Sequence, residues 1–172
     1  MSTHPNGRII PAAARLAAVC TVALVGAGAT QASAATLSRS VDVKGSPSAI
    51  WAMIGPFCAI KSWHPAIGSC TVDGKAPPTR TLVTRDGKAT FVELQTDRSD
   101  AEHRYSYTFV SSPAPVTRYT ATITVVPKGA GRSTVIWRGS YVPNPGHAKD
   151  ASDTLSGIYE AGLAAIKARL GG

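Results

Sequence analysis

The chain has 172 residues, 44% of them hydrophobic, which suits one domain with a buried core. Lys and Arg number 18 against 10 Asp and Glu, a formal charge of +8. The excess is spread out, with no basic block and no array of cations interleaved with aromatics, so it argues against a nucleic-acid partner and leaves only weak attraction to anionic surfaces or ligands.

The first 34 residues read as an export signal. Arg8 and Arg15 give a basic start, an apolar run of about 14 residues extends from Leu16 to Ala29, and Ala32-Ser33-Ala34 fits cleavage after Ala34. The run is short of the roughly 20 residues a spanning helix needs, so no stable membrane insertion is expected once the signal is gone. Cleavage removes Cys20, Arg8 and Arg15, leaving a domain over 35–172 with a charge of +6 and a periplasmic or secreted location. Two cysteines remain, Cys58 and Cys70, with eleven residues between them. In an exported protein such a pair predicts a disulfide, with two buried thiols as the alternative, and a ring of that size stabilises by about 3 kcal/mol. His64, His103 and His147 show no ligand spacing with the cysteines, so no metal is expected.

Leu37 to Lys44 alternates as a strand with Leu37, Val41 and Val43 on one face and Arg39 as the exception. Ser46 then caps a short helix with Pro47 in its first turn and Ile50, Trp51 and Ile54 at helical spacing. Gly55-Pro56 breaks it, a second short helix runs from Phe57 to about Ser62, and Pro65 forces His64 out of helical geometry. Ile67 to Gly74 is a strand, and Lys75 to Pro78 a loop. Two β-rich runs follow, joined by Asp86-Gly87, a strong hairpin signal. Asp97 to Glu102 is polar and turn-like. The next strand puts Tyr105, Tyr107 and Phe109 on one face; the one after does the same with Tyr119, Ala121, Ile123 and Val125; and the last strand, past a Gly-rich turn at 128–132, with Val135, Trp137, Gly139 and Tyr141. A long amphipathic helix from about Ala151 to Leu170, capped by Asp150 or Ser152, closes the chain with Leu155, Ile158, Tyr159, Gly162, Ile166 and Leu170 near one stripe. One antiparallel meander and one long helix have only each other's apolar faces to bury, which predicts an α+β fold with a curved sheet wrapped around the helix.

The ordered segments Ser46–Trp51, Trp63-His64-Pro65, Val92-Glu93-Leu94, Tyr105–Phe109, Pro113–Tyr119 and Thr134–Tyr141, with the closing helix, resemble the START-like, or SRPBCC, superfamily of helix-grip proteins. That superfamily includes polyketide cyclase/dehydrase and lipid-transport types, and the chain is similar to an exported subgroup containing a methanol-oxidation accessory protein. The resemblance implies an elongated cavity between sheet and long helix, roofed by the two short helices, and no cofactor.

Aromatics available to line such a cavity are Trp51, Phe57, Trp63, Tyr105, Tyr107, Tyr119, Trp137, Tyr141 and Tyr159, which suit an apolar or amphipathic ligand and equally suit a filled core. Alternation leaves open whether Glu93 faces inward with Phe91 and Gln95; if it does, its carboxyl joins His64 as a candidate acid or base. No nucleophile motif and no phosphate-binding glycine loop is present. Three functions are compatible with these residues. They are binding of a small hydrophobic or amphipathic molecule, a cyclase- or dehydratase-like reaction through His64, Glu93 or a tyrosine, and an accessory role toward a protein partner with the core filled. Ligand sites run upward from roughly 300 Å³, so a hollow well below that would remove the first two readings at once.

Overall fold

A computed structural model describes residues 33–172. The signal segment, with Cys20 and most of the cleavage region, lies outside the described residues. The element order is β1 (Ala35–Lys44), α1 (Pro47–Ile54), α2 (Ile60–Trp63), β2 (Ile67–Val72), β3 (Thr79–Thr84), β4 (Thr90–Ser99), β5 (Arg104–Ser111), β6 (Val116–Pro127), β7 (Arg132–Pro143) and α3 (Ala148–Leu170). All seven strands form one antiparallel sheet in the order β1-β7-β6-β5-β4-β3-β2. The result is the helix-grip architecture, a curved sheet with α3 in its concave face. Register shifts in β2, β4 and β6 supply bends, because an extra residue on one strand tightens its local twist.

Local chemistry explains each boundary. Ser46 Oγ accepts the Ala49 N–H at 3.3 Å and Pro47 opens α1, so the cap and the preset φ act together. The second helix is shorter and later than Phe57–Ser62: residues 57–59 form a turn and the helix occupies Ile60–Trp63. It stops at His64, which is extended (φ −86°, ψ 122°) as the following proline requires. The β3–β4 hairpin turns at Gly87, whose φ of +70° favours glycine, while Asp86 Oδ1 accepts from Thr84 Oγ1 and the Lys88 N–H. Strand β4 runs on to Ser99, through residues whose polarity predicts a turn, because Arg104 bridges Asp97 and Glu102 and keeps that end paired with β5.

The long helix starts three residues earlier than its apolar stripe suggests. His147 is its N-cap residue, and Asp150 sits in the first turn against His147 Nδ1 at 3.1 Å instead of capping. Arg39, the misfit on the covered face of β1, reaches α3: its guanidinium donates to Glu160 at 2.7 Å and to Ser156 at 3.1 Å. Cys58 and Cys70 are disulfide-bonded, with Cα atoms 5.6 Å apart, tying the turn before α2 to β2. No helix among the described residues is long and apolar enough to cross a membrane.

Two glycines set how closely α3 approaches the sheet. Gly139 leaves room for the Tyr159 hydroxyl, and a Cβ on Gly162 would sit 2.8 Å from His64, 2.9 Å from Trp137 and 3.0 Å from Trp63. In contrast, Gly157 is exposed on the same helix and a Cβ there meets nothing. Gly162→Ala is therefore expected to cost about 1–3 kcal/mol in urea unfolding, because three buried rings must shift. Gly157→Ala should instead gain about 0.5–1 kcal/mol from helix propensity alone.

Candidate functional site

A cavity of about 130 Å³ lies between the sheet and the N-terminal half of α3. Leu82, Phe91 and Phe109 form its sheet wall, Leu155 and Ile158 its helical wall, and Ile60 of α2 closes one side. Exposed Ala66, which also lines it, marks where it reaches the surface. The volume is well below 300 Å³, and the reason is visible at the other end of the groove. There Trp137 stacks on Tyr159 at 4.4 Å and 9°, Trp63 meets Trp137 edge-on at 5.9 Å, Gly162 leaves room for the two tryptophans and Gly139 for the Tyr159 hydroxyl. The elongated hollow implied by the family resemblance is half plugged.

Of the eleven residues singled out from sequence, His64, Glu93, Tyr107, Tyr119 and Trp137 line this cavity. The other six do not. Trp51 lies on α1 with its indole N–H donated to Asp100 at 2.8 Å and the Arg98 guanidinium over its ring. Phe57 and Tyr105 pack edge-on against each other beside Arg80. Trp63 and Tyr159 belong to the plug, and Tyr141 is buried on β7 opposite Ala35.

Glu93 points inward and is buried because Arg80, fully buried on β3, is its cross-strand partner: Nε to Oε2 is 2.6 Å. Arg80 also donates through Nη1 to the Phe57 carbonyl, and its guanidinium lies 4.1 Å from the Phe57 ring centroid and 5.2 Å from that of Tyr107. Burial works against the Arg80 charge, but Glu93 with Tyr105 and Tyr107 outweighs it and the guanidinium's pKa is raised. Burial likewise pushes the Glu93 carboxyl up, with Arg80 opposing. Sequence reasoning missed Arg80. The signal was there: a hairpin centred on Asp86-Gly87 sets residue 80 opposite residue 93, and the observed register does so.

His64 is fully engaged. Its Nδ1 accepts the Ala66 N–H at 3.2 Å, which leaves the proton on Nε2 to be donated to the Ile158 carbonyl at 2.9 Å. Burial holds the ring's pKa below its ordinary value, with the Ile158 bond acting the other way. Trp137 Nε1 donates to the Tyr107 hydroxyl at 3.1 Å, and the hydroxyls of Tyr107, Tyr119 and Tyr159 form a chain at 3.3 and 2.8 Å. Burial raises the pKa of all three phenols, so they stay neutral. Behind the cavity wall, Arg80 Nη2, Gln95 Nε2 and Tyr105 Oη have no protein partner. Among the described residues no cluster of His, Cys, Asp and Glu is arranged to hold a metal. The arrangement can enclose a small apolar body; it offers no free base on His64 and no ionised phenol.

Residues 34–171 match the sequence profile of the family described as polyketide cyclase / dehydrase and lipid transport. The solved structure of the protein XoxI from Bacillus cereus is 31% identical, covers 79% of this chain and 95% of its own, and superposes with a TM-score of 0.75. An aromatase/cyclase from Streptomyces sp. R1128 shares the fold at 13% identity (80% of this chain, 93% of its own, TM-score 0.68). A START superfamily protein from Mycobacterium smegmatis does so at 19% (78% and 98%, TM-score 0.59). No curated protein matches the chain.

Two predictions follow from these contacts. Glu93→Ala strands a buried guanidinium and should cost about 3–5 kcal/mol in urea unfolding, whereas the apolar pair Arg80→Met with Glu93→Leu should recover most of that loss. For His64, the unfolded chain takes up a proton near pH 6.5 while the folded chain resists it, so stability is retained above that pH and declines as pH falls below about 6.5. Unfolding at pH 7.5 and 5.5 should show the decline in the native protein and a smaller one in His64→Gln.

Proposed function

Because the chain belongs to the polyketide cyclase / dehydrase and lipid transport family, a family of hydrophobic-ligand-binding and cyclase-like proteins, we propose that it binds a small apolar molecule of about one six-membered ring. The observation that carries this reading is a cavity of about 130 Å³ whose walls are apolar and whose polar groups are mostly spent on one another. A volume this far below 300 Å³ removes the elongated ligand expected from the sequence, but a dry apolar cavity of about 150 Å³ still holds benzene, so this one suits a single ring and not a lipid or a fused polycycle. Binding is favoured over acid–base catalysis because His64 keeps neither ring nitrogen free. The ligand site is His64, Glu93, Tyr107, Tyr119 and Trp137 with the apolar walls. Export through the segment 1–34 and a periplasmic or secreted location belong to the same proposal, supported by the Cys58–Cys70 bond, which persists in oxidising compartments.

Toluene is the probe. Titration calorimetry should find one site per chain, and Leu155→Phe, which fills the cavity from α3, should weaken binding at least tenfold while the protein stays folded. Absence of toluene binding by the native protein would leave the accessory role as the better reading.

A further inference from the structure

Along β3 and β4 three cross-strand pairs succeed one another from the hairpin inward: Thr84 with Ala89, Leu82 with Phe91, and Arg80 with Glu93. All of these but Arg80 line the cavity, which on this side passes from a half-buried rim through an apolar waist to a buried ion pair. The step from Ala89 to Glu93 spans about 13 Å of extended chain. An open guanidinium stands at the rim. The carbonyl of Ala66, the exposed lining residue, accepts the Arg85 N–H at 2.9 Å, and Arg85 Nε donates to the Pro65 carbonyl at 2.7 Å. Both bonds hold Arg85 against the segment that forms the mouth. Its two Nη groups have no partner among the described residues, and no carboxylate there pairs with it or with Lys88 in the same turn. Asp86 Oδ1 is occupied by Thr84 Oγ1 and the Lys88 N–H, so the turn carries one positive charge in excess. At the deep end Arg80 and Glu93 lie 2.6 Å apart and attract neither sign on balance, and the side chain bearing the unpartnered Arg80 Nη2 does not line the cavity.

We infer that the guest is a monocyclic aromatic acid, its ring against Leu82 and Phe91 and its carboxylate at the mouth on Arg85. This rests on the ring-sized binding function proposed above and adds the charged group and the end from which it projects. Two free Nη groups on one planar guanidinium are the paired donors that a carboxylate takes. Arg85 is exposed, so the carboxylate bound there keeps part of its hydration, whereas in the apolar waist it would lose that hydration and gain no partner. One ring with its acid group is shorter than the stretch from rim to ion pair, so the ligand carboxylate stays clear of Glu93. A cationic group at the mouth would meet Arg85 and Lys88 with like charge.

The experiment compares benzoate, toluene and benzylammonium by titration calorimetry at neutral pH and low ionic strength. All three carry one ring, so their order reads the sign of charge preferred at the mouth. The inference expects benzoate to bind at least tenfold more tightly than benzylammonium and more tightly than toluene, to compete with toluene for one site, and to lose much of its advantage in about 0.5 M salt. Arg85→Gln changes an exposed side chain and should weaken benzoate at least fivefold while toluene stays within twofold of its native affinity. Toluene binding with benzoate no tighter than benzylammonium overturns the acid site and leaves the apolar cavity standing. Benzoate binding that survives Leu155→Phe, or that does not compete with toluene, places the anion elsewhere and also overturns it. So does benzoate affinity unmoved by Arg85→Gln. Failure of all three compounds to bind overturns both readings.

Discussion

The contact on which the rest of this molecule depends is the seating of aromatic side chains between α3 and the sheet against the bare backbone of Gly139 and Gly162. Where these positions lack a Cβ the rings close in, and Trp137 lies parallel to Tyr159 with Trp63 edge-on against Trp137. Such stacked and edge-on arrangements add about 0.5–1.5 kcal/mol each beyond burial. They also fix the helix at one height. With one end of α3 held down on the aromatic plug, the other end stands off the sheet by the depth of Leu155 and Ile158, and the remaining space is set by what those side chains leave unfilled. Cavity size in this fold is thus a consequence of helix height. In this chain two glycines set it low.

The second constraint is electrostatic. A guanidinium with no exposed surface is tolerable because most of it is answered: Glu93 at Nε, the Phe57 carbonyl at Nη1, and the faces of Phe57, Tyr105 and Tyr107 around it, with Nη2 left without a protein partner. A buried pair of this kind contributes little net stability over an apolar substitute, but it is demanding about geometry. It draws the turn between α1 and α2 down onto β3, and the Cys58–Cys70 bond holds the adjacent residue to β2. The short helices are therefore fixed from two sides, by charge at Phe57 and by a covalent bond at Cys58. Since the pair is internally neutral, it adds no net charge to the cavity beside it.

Much of this fold was legible in the sequence, because strand alternation, the Ser46-Pro47 start and the Asp86-Gly87 turn each act through nearest neighbours. The inward set on β5, β6 and β7 follows from a period of two and matches the burial of Tyr105, Tyr107, Tyr119, Ile123, Val135 and Trp137. What stayed hidden depends on partners distant along the chain. Arg80 sits among threonines, Thr79 and Thr81, so composition around it looks like a solvated strand, and only the hairpin register reveals the carboxylate across from it. Glu93 was ambiguous for the same reason. The cavity's extent was unreadable because it hinges on Gly162, a helix-stripe position whose importance lies in three rings from α2, the following turn and β7.

His64 shows how a residue with the chemistry of a catalyst becomes a structural tie. Pro65 fixes the backbone at residue 64 in extended geometry, which turns the imidazole away from solvent and toward α3. There it accepts a bond from its own chain two residues on and donates to the Ile158 carbonyl. That carbonyl lies mid-helix and already accepts its intrahelical bond in a regular turn, so the imidazole adds a second acceptor contact and ties α2 to α3 across the side of the cavity. Protonation would place a donor where the Ala66 N–H already points and break that bond, while the Nε2–H bond to Ile158 would remain. The same geometry that occupies both ring nitrogens of His64 makes it the hinge pin between roof and helix.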